Sequence, residues 1–102
     1  MSDVKQRIEK ILSENKTVLF MKGNPSFPQC GFSMRASAIL QELGTDFFAV
    51  DVLEDQEIRE GIKEFGNWPT IPQLYVNKEL VGGSDIMMEM FESGELKETL
   101  NS

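Results

Sequence analysis

The stretch Lys22-Gly23-Asn24-Pro25-Ser26-Phe27-Pro28-Gln29-Cys30-Gly31-Phe32-Ser33 carries the only cysteine of the chain, and no histidine accompanies it. A cysteine is a nucleophile or a metal ligand as its thiolate. An apolar run, Val18–Met21, reads as a buried strand before this stretch, and a helical pattern, Met34–Leu43, follows it. Cys30 therefore sits where a loop with two prolines enters a helix. Unpaired amide N–H groups and the positive end of the helix dipole favour a thiolate there. Such placement can lower a thiol pKa from about 8.5 to roughly 3.5–7.5. A lone cysteine is more often an inert, buried hydrophobe, but Gly31 and Ser33 leave room beside this one for another backbone or a ligand. Cys30 is the candidate reactive centre.

Three further clusters are expected to converge on it. Lys22 leaves the first strand, and Arg59 and Lys63 lie one turn apart on the third helix. Cations aimed at one cleft in an acidic chain suggest a small anionic ligand carrying carboxylates; the alternative is that Arg59 and Lys63 pair with Glu60, Glu64 or solvent. Ile71-Pro72 precedes a strand, and a cis bond there would turn the Ile71 backbone outward as an edge able to hydrogen-bond an extended peptide, whereas base rates favour an ordinary trans proline. Gly82-Gly83-Ser84-Asp85 offers free amides at a helix N-terminus for a further carboxylate, or simple capping. Trp68 reads as either a rim or a core residue, with packing beside the site the favoured expectation. Met87, Met88 and Met90 suit core or surface gaps better than metal binding.

These residues must be positioned by one domain, since 102 residues at 40% apolar content supply a single core. A net charge of −7 argues against nucleic acid or an anionic membrane as partner. No apolar run approaches the ~20 residues that span a bilayer, and the N-terminus lacks the basic and apolar regions of a signal peptide. An unpaired cysteine points to a reducing interior, the cytoplasm or an organelle matrix after removal of a transit peptide. One Cys and no His exclude a metal site made from this chain's own soft ligands.

Val4, Ile8, Ile11 and Leu12 mark a first helix ending near Asn15, with Asp3 and Gln6 resembling a capping box. Thr17–Met21 lacks alternation and suits a strand covered on both faces. The Met34–Leu43 helix turns Ala36, Ile39, Leu40 and Leu43 inward and ends at Gly44. Phe47–Leu53 is a second strand, completing a right-handed βαβ unit. A helix beginning at Glu54–Glu57 buries Ile58, Ile62 and Phe65 and closes at Gly66. After a rigid turn, Asn67–Pro72, the residues Gln73–Val76, Asn77-Lys78 and Glu79–Val81 read as a hairpin. A fourth helix, Ile86–Glu92, takes Ser84 or Asp85 as N-cap, and Glu95–Leu100 forms a short, frayed last helix. The order predicts an α/β fold: a four-stranded mixed sheet flanked by helices on both faces, in the thioredoxin arrangement. Ligands of such sheets gather beyond the carboxyl ends of parallel strands, where Lys22 and Cys30 follow.

Cys30-Gly31-Phe32-Ser33, Trp68-Pro69-Thr70-Ile71-Pro72-Gln73 and Gly82-Gly83-Ser84-Asp85, in this order, resemble the monothiol glutaredoxins of the CGFS type over about Lys5 to Leu100. The extra residues that the family carries between the strand-one lysine and the cysteine are present as Asn24–Gln29. The resemblance implies a thioredoxin fold. It assigns Cys30 as the active thiolate and cluster ligand, and Lys22, Arg59, the Ile71 backbone, Ser84 and Asp85 as holders of glutathione, with Pro72 cis and Lys63 assisting. Ser84 stands where many members have Cys, so a second-thiol role at that site is lost.

Two functions follow. One is a carrier of a [2Fe–2S] cluster bridging two subunits. Such a cluster usually takes four thiolates; two chains supply two and two glutathiones complete the set, and the family adds BolA-like partners and apo iron–sulfur acceptors. The other is a glutathione-dependent thiol–disulfide oxidoreductase acting by a monothiol route, because Ser33 replaces the second thiol of a Cys-X-X-Cys relative. The carrier is the favoured expectation. A thioredoxin-fold binding module with an idle thiol would leave the three clusters as coincidence.

Overall fold

The computed structural model describes residues 2–102 and contains a four-stranded mixed sheet. Its first helix, α1, spans Ser2–Glu14, and the first strand, β1, spans Thr17–Met21. Every residue of β1 is buried, because both faces of the sheet are covered. Leu19 and Met21 face one core with Leu74, Val76, Met87 and Leu96, while Val18 and Phe20 face a second core with Ile8, Leu12, Ile58, Ile62 and Tyr75. A period of two with apolar residues on both sides is a continuous apolar run.

Beside β1 lies β2, Phe48–Asp51, in parallel register, Val18 opposite Phe48 and Met21 opposite Asp51. Between them runs α2, Gly31–Glu42, closed by Leu43 and by Gly44 at φ 68°. The Gly44 amide reaches the Gln41 carbonyl at 3.0 Å and the Thr45 amide reaches the Leu40 carbonyl at 3.2 Å, the paired bonds of a Schellman C-terminus. On the other face, α3 spans Gln56–Phe65. Its N-cap is Asp55, whose carboxylate accepts the Ile58 amide and the Arg7 guanidinium from α1.

The second half is antiparallel. β3, Gln73–Val76, pairs with β1, and β4, Glu79–Gly82, pairs with β3. Their two-residue turn holds Asn77 at φ 52° and Lys78 at φ 71°, the left-handed pair of a type I′ hairpin. Two helices then cover the first core: α4, Ser84–Ser93, and α5, Glu95–Leu100.

The expected thioredoxin architecture is present, with differences at element ends. Asp3 lies inside the first turn of α1, where the dipole favours its charge, and not before it as a cap. β2 is shorter than Phe47–Leu53 because Asp51 ends it: its carboxylate accepts the Leu53 amide at 2.9 Å and the Gly23 amide at 3.0 Å, turning the chain out of the sheet. α4 begins two residues earlier than Ile86, with Gly83 as its N-cap. Ser84 and Asp85 are thus its first two residues, so neither caps it. α5 is no frayed end, since Leu96 and Leu100 are buried in the core.

Candidate functional site

Lys22 directly follows β1, and the loop after it folds back as a small hairpin. Gly23 bridges Pro28, and the Gln29 amide donates to the Lys22 carbonyl at 2.9 Å. Its tip is a turn in which the Asn24 side-chain oxygen accepts the Ser26 and Phe27 amides, each at 3.0 Å. Gly23 is required at its base: φ is 86°, and a Cβ there would stand 2.4 Å from the Phe27 carbonyl oxygen. The hairpin delivers the chain to Cys30 in an extended conformation, φ −157° and ψ 140°.

Cys30 is the N-cap of α2, its carbonyl accepting the Met34 amide at 2.9 Å. The helix therefore starts at Gly31, one turn earlier than the apolar pattern from Met34 suggests. Gly31 opens onto unfilled space, but Ser33 is fully buried. Its hydroxyl accepts the Lys22 amide at 3.0 Å and so anchors the helix to the strand, in place of leaving room for a ligand. Burial is the largest single influence on the Cys30 thiol and pushes its pKa up. The Ser33 and Phe32 amides, the Ser33 hydroxyl and the charge of Lys22 together outweigh it, and the thiol lies below its ordinary value. Cys30 is a partly exposed, acidified free thiol at a helix N-terminus.

A groove of about 410 Å³ opens beside it, lined by Lys22, Cys30, Phe32, Lys63 and Trp68–Pro72. The start of α4, Gly83 to Ile86, completes the lining. The Ile71–Pro72 bond is cis. Gly83 lets α4 approach this wall: a Cβ would lie 3.2 Å from the Pro72 carbonyl oxygen and 3.3 Å from the Trp68 indole nitrogen. The amides that open α4 have no partner within their own helix.

The groove thus gathers Lys22, Cys30, Ile71, Ser84 and Asp85, with Lys63 added. Arg59 stands on α3 one turn before Lys63 and outside the lining. Three buried polar atoms lack a hydrogen-bond partner among the described residues: Arg59 Nε, Trp68 Nε1 and Ser84 Oγ. Two of these residues line the groove, and an unmet buried donor costs roughly 1–3 kcal/mol. Trp68 packs beside the site as its place in the sequence suggests, and Met87 fills core. No group of three or more His, Cys, Asp or Glu capable of holding a metal occurs among the described residues. No helix is long and apolar enough to cross a membrane.

Gln73 was not foreseen. It is fully buried behind the groove wall, donating to the Trp68 carbonyl at 3.0 Å and the Thr70 carbonyl at 3.2 Å. The signal was available: a polar residue inside an apolar strand, directly after a proline, needs a buried partner. Phe32, Pro69 and Thr70 also line the groove without having been singled out.

The Glutaredoxin family matches over residues 17–81. A monothiol glutaredoxin of Porphyra purpurea is 58% identical over 95 residues, which are 93% of this chain and 89% of that protein. The solution structure of reduced poplar apo GrxS14 superposes with a TM-score of 0.85 at 46% identity, covering 96% of this chain and 90% of that one. A buckwheat glutaredoxin–glutathione complex shares the fold, with a TM-score of 0.87 at 20% identity over 98% of this chain and 89% of its own.

Proposed function

The chain belongs to the glutaredoxin family, on its monothiol branch, and from that premise we propose that it binds glutathione and, as a glutathione-ligated homodimer, carries and transfers a [2Fe–2S] cluster. The observation that carries the reading is a solitary coordinating side chain, Cys30, opening onto a groove edged with cations. Four thiolates usually hold such a cluster. One chain brings one, a second copy brings another, and two glutathione thiolates complete the set.

Glutathione suits the groove. It is a short peptide with two carboxylates, and Lys22, Lys63 and the nearby Arg59 supply cations for one of them. The amides of Ser84 and Asp85, with the Ser84 hydroxyl, supply donors at a helix N-terminus for the other. The Ile71 backbone serves the peptide's extended middle. Cys30 supplies the protein's own thiolate to the cargo. External ligands exchange readily, which suits release to an acceptor, with a BolA-like protein as a further partner. The test is anaerobic reconstitution with iron, sulfide and glutathione, followed by native mass spectrometry. A dimer holding two glutathiones and one cluster is expected; a colourless monomer refutes the proposal.

The acidified thiol favours a second activity. The Cys30 thiolate attacks the sulfur of a glutathionylated protein, takes the glutathione as a mixed disulfide and releases the protein thiolate. A second glutathione thiolate then attacks the mixed disulfide, leaving as oxidised glutathione and restoring Cys30. With Ser33 beside it, Cys30 has no internal thiol to finish the cycle, so this route depends on outside thiol at each turnover.

A further inference from the structure

We propose that Gln73 is a positioning residue that aims the Ile71 amide N–H into the groove, through its bond to the Thr70 carbonyl. This rests on the reading of the groove as a glutathione site. Gln73 Nε2 lies 3.2 Å from the Thr70 carbonyl oxygen and 3.0 Å from that of Trp68. Two carbonyls accept only, so the amide must present its nitrogen to them, which leaves Oε1 to accept from the Tyr75 hydroxyl at 3.0 Å. Both N–H donors and the oxygen of one buried side chain are thereby used.

The consequence for Ile71 is geometric. Across a trans peptide, the carbonyl and the following N–H point in opposite directions. The Thr70–Ile71 bond is trans, since the cis bond is the next one along. Holding the Thr70 carbonyl inward on Gln73 therefore turns the Ile71 N–H outward, toward the groove that Ile71 lines. Pro69, after Trp68, has no N–H to aim, so the Thr70 bond is the one that sets a donor. Tyr75 keeps the clamp in register: it is buried, its pKa is pushed up to about 12 by that burial, and its proton stays on the oxygen at physiological pH. Gly66 leaves the space that the clamp occupies, for a Cβ there would stand 2.3 Å from the Tyr75 hydroxyl and 3.1 Å from Gln73 Oε1.

Gln73→Met keeps the side-chain length and removes both donors. Glutathione affinity by calorimetry is expected to fall about tenfold, and the Ile71 amide resonance, expected to shift on glutathione addition in the wild type, is expected to stop responding. The pH profile of Cys30 alkylation should stay unchanged, because its stabilisers lie on α2 and at Lys22. Wild-type affinity with a responsive Ile71 amide overturns the proposal, as does equal damage to affinity and to the thiol profile. If Gln73→Met does not fold, Tyr75→Phe, which deletes only the hydroxyl, should give a smaller loss in the same two readouts, and unchanged readouts overturn the proposal. Wild-type protein that fails to bind glutathione refutes the groove reading itself, and the aim of Ile71 with it.

Discussion

The Ser33 hydroxyl accepts the Lys22 amide at 3.0 Å, joining the end of β1 to the first turn of α2. That bond fixes the cation and the thiol-bearing helix end in one frame. It also leaves the Ser33 proton free to donate toward Cys30, where it is one of the groups holding the thiol pKa down.

Ser33→Ala should raise the Cys30 pKa toward its ordinary value, seen as an alkaline displacement of the pH profile for iodoacetamide alkylation. Leaving the part-buried Lys22 amide unmet should also cost roughly 1–3 kcal/mol of stability. The same thiol links stability to pH. The fold lowers its pKa below the ordinary thiol value, so between the folded and unfolded values the unfolded chain binds more protons. Stability from the thiolate is complete above the unfolded value and is lost as pH falls through the folded one. Chemical denaturation across that window should show the rise in wild type and a flatter curve in Cys30→Ser.

Arg59→Ala should weaken glutathione binding by about 1–3 kcal/mol, the usual cost of losing a hydrogen bond to a charged group. Its Nε is buried without a partner among the described residues, although its residue lies outside the groove lining. Calorimetric titration decides the matter, and unchanged affinity would remove Arg59 from the site.

Gly66→Ala forces a methyl into the Tyr75–Gln73 pair and should destabilise the fold by about 1–3 kcal/mol, as overpacking does. Combining it with Tyr75→Phe, which removes the colliding oxygen, should recover part of that loss in thermal denaturation. A double variant no more stable than the single one would show that the clash is taken up elsewhere.

Much of this arrangement was legible in the residues. The bounds of β1 can be read from the residues because a strand covered on both faces is an unbroken apolar run, and the Asn77-Lys78 hairpin because two-residue turns have few solutions. Cys30 reads as a helix start, and Lys22, Arg59, Lys63, Ile71, Ser84 and Asp85 are expected in one cleft, of which Arg59 alone stands outside the lining. The errors lie where a single tertiary contact decides. Asp51 ends β2 by taking two amides, one of them from Gly23, far away in sequence. Gly31–Ser33 join α2 despite a leading glycine, since Ser33 is anchored on β1. Gly83 caps α4 in place of Ser84 or Asp85 because the backbone passes so close to Pro72 and Trp68 that a side chain would be crowded. Gln73, polar in an apolar strand, signals a buried partner, but which carbonyls it takes is decided by the turn before it and leaves no trace in residue types.

Ser33→Cys would set a second thiol in the first turn of α2, three residues after Cys30, able to resolve a mixed disulfide internally. Turnover of a glutathionylated protein, assayed with glutathione and its reductase, should rise. Unchanged turnover would mean that the missing second thiol is not what restrains the wild-type activity.

The visible absorption spectrum of anaerobic protein, supplied with iron and sulfide and then with or without glutathione, tests the central claim most directly. Shared ligation by Cys30 and glutathione predicts a brown, dimeric product with sulfur-to-iron charge-transfer bands only when glutathione is present, and none from Cys30→Ser. Protein that stays colourless with glutathione, or that colours equally without any added thiol, would contradict it.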